Sequence, residues 1–177
     1  LIAYRLKKEK LIRLKKTSKI IVGNQSYKIK IFENIIDGSE HFALIKGKLT
    51  KKSTPRLRVI SSNVVENYLI NQNIPNSFNR TIKYFKKFAN CVLIFIRDPN
   101  LKSVSQTLRQ YKSDDFYKKG QDRLIKNYGI GAQIIKSLNI KNMVLVTKSR
   151  KKVVGLEGYG IKIVKQEILK WKKTQKE

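Results

Sequence analysis

Between Tyr27 and Ile36 apolar and polar positions alternate, with Tyr27, Ile29 and Ile31 set against Lys28 and Lys30. A period of two predicts a half-buried strand. Asp37-Gly38-Ser39-Glu40 then predicts a turn, and Phe42-Ala43-Leu44-Ile45 the returning strand. Leu57 to Ile60, after Pro55, predicts another short strand. Asn76 or Ser77 can cap a helix that spaces Phe78, Ile82, Phe85 and Phe88 at near-helical intervals. The unbroken apolar run Cys91-Val92-Leu93-Ile94-Phe95-Ile96 has the length of a buried central strand. Ser103 to Phe116 predicts a helix ending near Gly120, Ala132 to Leu138 another, and Met143 to Val146 a strand. Gly155-Leu156-Glu157-Gly158-Tyr159-Gly160 is too glycine-rich for a helix and leads into a last strand, Ile161 to Val164. At the start, Leu1, Ile2, Leu6, Leu11, Ile12 and Leu14 stand among basic residues, which predicts a helix or the end of one over residues 1–16. Strands alternating with helices predict an α/β fold: a mixed sheet with helices on both faces.

Composition narrows the class. With 177 residues and 41% hydrophobic content the chain fits one domain with a real core. No apolar run approaches the ~20 residues of a membrane helix, and Arg5, Lys7 and Lys8 break the first apolar residues, against a signal peptide. One cysteine excludes an internal disulfide, so a cytoplasmic location is expected, with no membrane partner. The chain begins at Leu1 and its only methionine is Met143, so a piece of a longer protein is expected.

The net charge of +28 changes the picture most. It predicts attraction to phosphate-rich partners and salt-dependent binding. The lysines are nevertheless scattered along the whole chain, as Lys7, Lys46, Lys86, Lys118, Lys151 and Lys172 show, rather than gathered with aromatics into one patch. Free use of lysine as a surface residue explains that spread.

Three stretches carry a family resemblance. Tyr128-Gly129-Ile130-Gly131-Ala132-Gln133-Ile134-Ile135, with Leu138 and the strand ending at Thr147, resembles the C-terminal half of GTP cyclohydrolase II. Gly155 to Gly160 follows at the family's spacing, and Glu40-His41-Phe42-Ala43-Leu44-Ile45-Lys46-Gly47 is similar to its first hairpin. The resemblance covers roughly residues 17–168, and it implies a GTP cyclohydrolase II-like fold for residues 17–177 with a basic tail. Leu1 to Arg5 and Glu9-Lys10-Leu11 resemble the end of dihydroxybutanone phosphate synthase, which implies that residues 1–16 close a preceding domain and that an upstream synthase domain is a partner.

The same resemblance exposes what is missing. The family opens the guanine ring with a water activated by zinc, held by three cysteines. Here Arg58-Val59-Ile60-Ser61-Ser62-Asn63 stands where the family has Arg-Val-His-Ser-Glu-Cys, and the other two ligand positions fall on Ile74 and Asn76. One Cys and one His cannot form such a centre, so no metal and no cofactor are expected. The family's Gln-Glu-Gly-Arg loop is replaced by Asp98-Pro99-Asn100-Leu101 after Arg97. Its proton-accepting aspartate and nucleophilic arginine fall on Leu124 and Lys126, and leucine cannot accept a proton. A two-residue shift would recover Asp122 but breaks the register with Tyr128. Cys91 reads as a small buried residue and His41 as structural.

Phosphate chemistry survives better. Arg58 and Ser61 match family positions near the triphosphate, and Thr147 and Lys152 match nucleotide-contacting positions, with Lys148, Arg150 and Lys151 beside them. Solvated basic residues kept with the fold would look the same. Three readings stand: a non-catalytic GTP cyclohydrolase II-like domain, dimerising or regulatory, with a nucleotide or phosphate ligand; a basic nucleic-acid or polyanion binder on the same fold; and an enzyme with altered chemistry. The first accounts for both the motifs kept and the motifs lost.

Overall fold

The computed structural model describes residues 9–62, 77–97, 104, 105, 108, 129–148 and 156–169. Seven strands form one mixed sheet: β1 Ile12–Val22, β2 Gln25–Asn34, β3 Glu40–Lys46, β4 Arg56–Ser62, β5 Cys91–Arg97, β6 Asn142–Thr147 and β7 Lys162–Ile168. Among the described residues two continuous helices lie between them, α1 over Ser77–Phe85 and α2 over 129–137, and residues 104, 105 and 108 are helical as well. The strand order is β1-β2-β3-β5-β4-β6-β7. The first three strands form an antiparallel meander joined to β5, while β5, β4, β6 and β7 run parallel.

The N-terminal helix expected over residues 1–16 is not what the described residues form: from Ile12 the chain is strand. Gly23 and Asn24, at φ 55° and 60°, turn β1 tightly into β2. Consecutive positive φ values are those of the hairpin turn whose twist matches its strands. Ten registered pairs of β1 with β2 then outweigh the weak helical pattern of the leucines, and residues 1–8 lie outside the described part. The expected helix over Ser103–Phe116 lies almost wholly outside it too. The glycine-rich Gly155–Gly160 stretch, of which Leu156 onward is described, makes a single 3₁₀ turn, Glu157–Tyr159, closed by Gly160 at φ 72°.

Two apolar clusters sandwich the sheet's own side chains by the alternation of the strands. Leu57, Val92, Ile94, Ile96, Met143 and Leu145 share one with Ala132, Ile134 and Ile135 of α2. Leu44, Ile60, Cys91, Leu93 and Val146 share the other with Ile82 and Phe85 of α1. Val92, Leu93 and Ile94 are all at 0% exposure, so β5 is covered on both sides, as its unbroken apolar run predicts. Gly131 of α2 rests on Ile96 and Val59: a Cβ there would lie 3.5 Å from Ile96 Cδ1. An alanine would meet ordinary contact there, so the site does not demand glycine; the helix starts at 129, ahead of the expected Ala132.

Candidate functional site at the carboxyl ends of the parallel strands

Beyond its first residues β4 loses one neighbour. It pairs with β5 along its whole length, Arg56↔Cys91 to Ser62↔Arg97. Its pairing with β6 is confined to Arg56↔Val144 and Leu57↔Leu145, although the strands run on to Ser62 and Thr147. The chain also reverses direction here: from β4 it moves to β5 on one side, then crosses back over β4 to β6. A reversal of strand order at the carboxyl edge of a parallel sheet is where open α/β folds leave a ligand crevice.

Arg58 is the first residue of β4 past that last β6 pair. It is 3% exposed, and its Nη2 donates to Ser77 Oγ at 2.9 Å, at the first turn of α1. Among the described residues its Nε and Nη1 have no hydrogen-bond partner, and no carboxylate faces it in an ion pair. Burial pushes the guanidinium down to about 10. A buried cation with spare donors, beside amide groups of a helix N-terminus, favours an anion at that place.

The other sequence-derived residues fall at the same edge but not on the same face. Ser61 is exposed and registers with Ile96. Thr147 ends β6, is 8% exposed, and its Oγ1 has no partner among the described residues. By strand alternation Ser61 and Thr147 lie on the side of α2, and Arg58 on the side of α1. Exposed Arg97, opposite Ser62, and Lys148, after Thr147, complete a basic rim that the sequence did not single out as a group. Lys152, Asn63, Ile74, Asn76, Leu124 and Lys126 lie outside the described residues.

The chemistry of the donors does not fit a three-cysteine zinc centre. Cys91 is the only cysteine, at 0% exposure inside β5. Its thiol donates to Phe85 O at 3.8 Å, and burial pushes it up to about 11, far from the thiolate a metal needs. His41 is the only histidine and is also fully buried, with Nδ1 accepting from the Arg97 amide at 3.1 Å and Nε2 3.3 Å from Ser39 Oγ.

On the far side of the same cluster, Arg56 Nε and Nη2 reach Glu167 Oε2 and Oε1 at 3.0 and 3.2 Å. Tyr84 donates to the same carboxylate, and the Arg56 guanidinium lies 3.5 Å from the centre of the Phe88 ring. These contacts fasten β7 and α1 to the start of β4.

Fold and crevice together define an α/β domain with an anion-favouring carboxyl edge. The chain belongs to the GTP cyclohydrolase II family, which it matches over residues 15–167. It is 27% identical over 167 residues to the monofunctional riboflavin biosynthesis protein RIBA 2, chloroplastic, of Arabidopsis thaliana, covering 92% of this chain and 35% of that one. It is also 27% identical over 177 residues to the riboflavin biosynthesis protein RibBA of Chlorobium phaeovibrioides, covering 94% and 43%. The crystal structure of RibBX, a two-domain 3,4-dihydroxy-2-butanone 4-phosphate synthase from A. baumannii, shares the fold with a TM-score of 0.65 at 19% identity, over 97% of this chain and 44% of that one. The chain thus spans less than half the length of these relatives. No helix among the described residues is long and apolar enough to cross a membrane.

Proposed function

We propose that this chain is a degenerate, non-catalytic GTP cyclohydrolase II-like domain of a riboflavin biosynthesis protein, with a structural or regulatory role. The observation that carries it is the pairing of a buried, under-satisfied Arg58 at the crevice with a donor set that cannot build the family's zinc centre. An anion site is kept; the water-activating group is not. Arg58, Ser61, Thr147 and Lys152 are the proposed nucleotide or phosphate contacts, with no catalytic residue among them. The two apolar clusters, each with its own helix, support a sheet covered on both faces.

The wider context is part of the same proposal. Relatives described as bifunctional, and a two-domain synthase of the same fold, support an upstream dihydroxybutanone phosphate synthase domain ending within residues 1–16. The expected boundary at 16/17 falls inside β1, so the cyclohydrolase-like domain proposed over 17–177 takes in the strand from Ile12. A homodimer of the combined protein, in the cytoplasm, completes it.

The test is GTP incubated with the purified chain, read by formate release and by equilibrium dialysis. Retention of GTP without formate is expected. Formate above a protein-free control overturns the non-catalytic reading, and absence of any nucleotide or phosphate retention overturns the binding role.

One observation favours the second reading, a polyanion binder. Lys19 and Lys28 face each other directly across the β1–β2 ladder, with Lys30 the next residue of β2 on that face. Opposed like charges repel, and a phosphate backbone would relieve them. RNA binding that weakens steeply with added salt, and fails in a Lys19→Glu, Lys28→Glu variant, distinguishes this from the first reading.

A further inference from the structure

His41 lies one residue outside the registered β3–β5 ladder, whose last pair is Phe42↔Phe95. Past that pair the Arg97 amide has no backbone carbonyl of β3 in register. The imidazole takes the carbonyl's place: Nδ1 accepts from Arg97 N at 3.1 Å. Arg97 is also the residue of β5 that stands opposite Ser62 at the crevice rim. A buried side chain on β3 therefore holds the last residue of β5 where the anion site needs it.

The polarity of the neighbouring bonds fixes the tautomer. Since Nδ1 accepts, the ring proton sits on Nε2, which faces Ser39 Oγ at 3.3 Å. Ser39 Oγ in turn donates to Asp37 Oδ1 at 2.6 Å, and the Ser39 amide donates to the same oxygen at 2.9 Å. All donors of the chain point from His41 towards exposed Asp37. A second ring proton has one place to go, Nδ1, where it would meet the Arg97 N–H head on.

We propose that His41 is a proton-sensitive positioning residue of the anion site, whose neutral ring closes the end of β5 and whose protonation releases Arg97 from the rim. The proposal rests on the phosphate-site reading above. Among the described residues the charged groups around the ring are few. Asp37 faces it from the turn, Glu33 and Glu40 form the adjacent pair of β2 and β3, and Arg97 ends β5. Glu33 is matched by Arg13 and Lys15 of β1, and Glu40 by Lys15. Among the described residues α2 supplies the apolar Ile130, Ala132, Ile134 and Ile135 to the cluster that contains Phe32, the partner of His41. Burial holds the imidazole below its usual value against the pull of Asp37, so release belongs to acidic conditions.

The experiment uses the isotopically labelled chain and NMR from pH 8 to pH 5. Imidazole nitrogen shifts at pH 8 are expected to report the Nε2–H tautomer. As His41 takes its proton, hydrogen-exchange protection of the Arg97 amide, corrected for intrinsic rates, is expected to fall about tenfold, the loss of one hydrogen bond. His41→Asn keeps an acceptor near the Nδ1 position and does not titrate, so its Arg97 protection should be independent of pH. Ser39→Ala keeps the Arg97 bond and should move the His41 midpoint and the Arg97 transition together. Sulfate, which does not titrate in this range, is the anion probe, followed at the Ser62 and Arg97 amides. It should bind wild type several-fold less tightly at pH 5 relative to His41→Asn. An Nδ1–H tautomer, or Arg97 protection that ignores the His41 titration, overturns the proposal. Equal sulfate affinities in the two proteins at pH 5 overturn the coupling. No sulfate response in either protein overturns the anion-site reading instead, and leaves the tautomer and Arg97 results to be judged separately.

Discussion

Arg58 reaches from the third residue of β4 to the first residue of α1, where its Nη2 donates to Ser77 Oγ at 2.9 Å. This single bond ties the sheet to the start of the helix beside it, and it leaves two guanidinium nitrogens unspent among the described residues. A buried charge held this way is costly to the empty protein and useful only to a bound anion.

Arg58→Met should therefore separate stability from binding. Methionine fills similar space without the buried charge, and such replacements commonly stabilise by about 1–4 kcal/mol. The thermal midpoint in water is expected to rise by a few degrees. Stabilisation of wild type by added sulfate or GTP should be absent in the variant. A lower midpoint together with unchanged ligand stabilisation would show that Arg58 is structural.

Glu167 is the common acceptor of Arg56 and Tyr84, and its titration sets an acid limit on the fold. Burial pushes its carboxyl up, but the bonds from Tyr84 and Arg56 and the charges of Arg56 and Lys165 together bring it below the usual value. A depressed folded value means the contribution is present above the unfolded value, about 4.3, and is lost as the pH falls through the lower, folded one. Glu167→Gln should cost about 1–3 kcal/mol at pH 7. The gap to wild type, measured by urea denaturation, should narrow as the pH drops below about 4. A gap that stays constant from pH 7 to pH 3 would remove the ionic part of the account.

Gly47 and Gly38 make a matched pair. Both have positive φ, 78° and 69°. At Gly38 an added Cβ meets nothing within 4 Å, whereas at Gly47 it would lie 2.3 Å from both Ala89 O and Asn90 Oδ1. Gly38→Ala should cost only the left-handed backbone strain, about 1–2 kcal/mol. Gly47→Ala adds a clash with backbone and should lose several degrees more in thermal midpoint. Equal losses would mean that the loop before β5 yields freely.

Chelation should leave the fold untouched. The thermal midpoint is expected to be the same with and without EDTA, and elemental analysis should find no stoichiometric zinc after dialysis. The sequence supplies Val64, Val65, Tyr68, Leu69, Ile70 and Ile74, which lie outside the described residues, as apolar anchors expected to hold their segment in place of a metal. Protection of their amides from exchange, compared with the C-terminal tail, checks it.

Most of the sheet was legible because its middle is simple. Cys91–Ile96 announces a strand buried on both faces. Tyr27–Ile31 announces a strand too, but not that its buried side changes, from Tyr27 on one face to Phe32 and Asn34 on the other. β1 was not legible from periodicity, since Arg13–Ile21 is exposed throughout and an edge strand with two wet faces needs no alternation. The signal that reveals it is Gly23-Asn24 between Ile20-Ile21-Val22 and Tyr27, a hairpin turn rather than a pattern. The start of α2 was hidden by Gly129 and Gly131, weak helix formers that nevertheless lie within the helix over 129–137. At the site, the residue types matched by resemblance were visible, but the burial of Arg58 was not. An arginine in a strand reads as solvated until α1 is laid over it. Phe88 likewise reads as one more helical apolar residue, whereas it follows the end of α1 and serves as the platform for Arg56.

The exposed outer strand carries one more consequence. Among the described residues no strand pairs with the outer edge of β1, and Leu14, Ile20 and Ile21 are exposed upon it. Such an edge is a template on which further chains can stack into fibrils. Lys15, Lys16 and Lys19 are spaced along it, and the register shift between Leu14 and Lys16 bends it out of line. The large positive charge thus acts here as a colloidal safeguard: copies of the chain repel each other at the strand where sticking would be easiest. Neutralising those three lysines should leave the folded protein intact and make it cloud and bind amyloid dyes at concentrations where the parent solution stays clear.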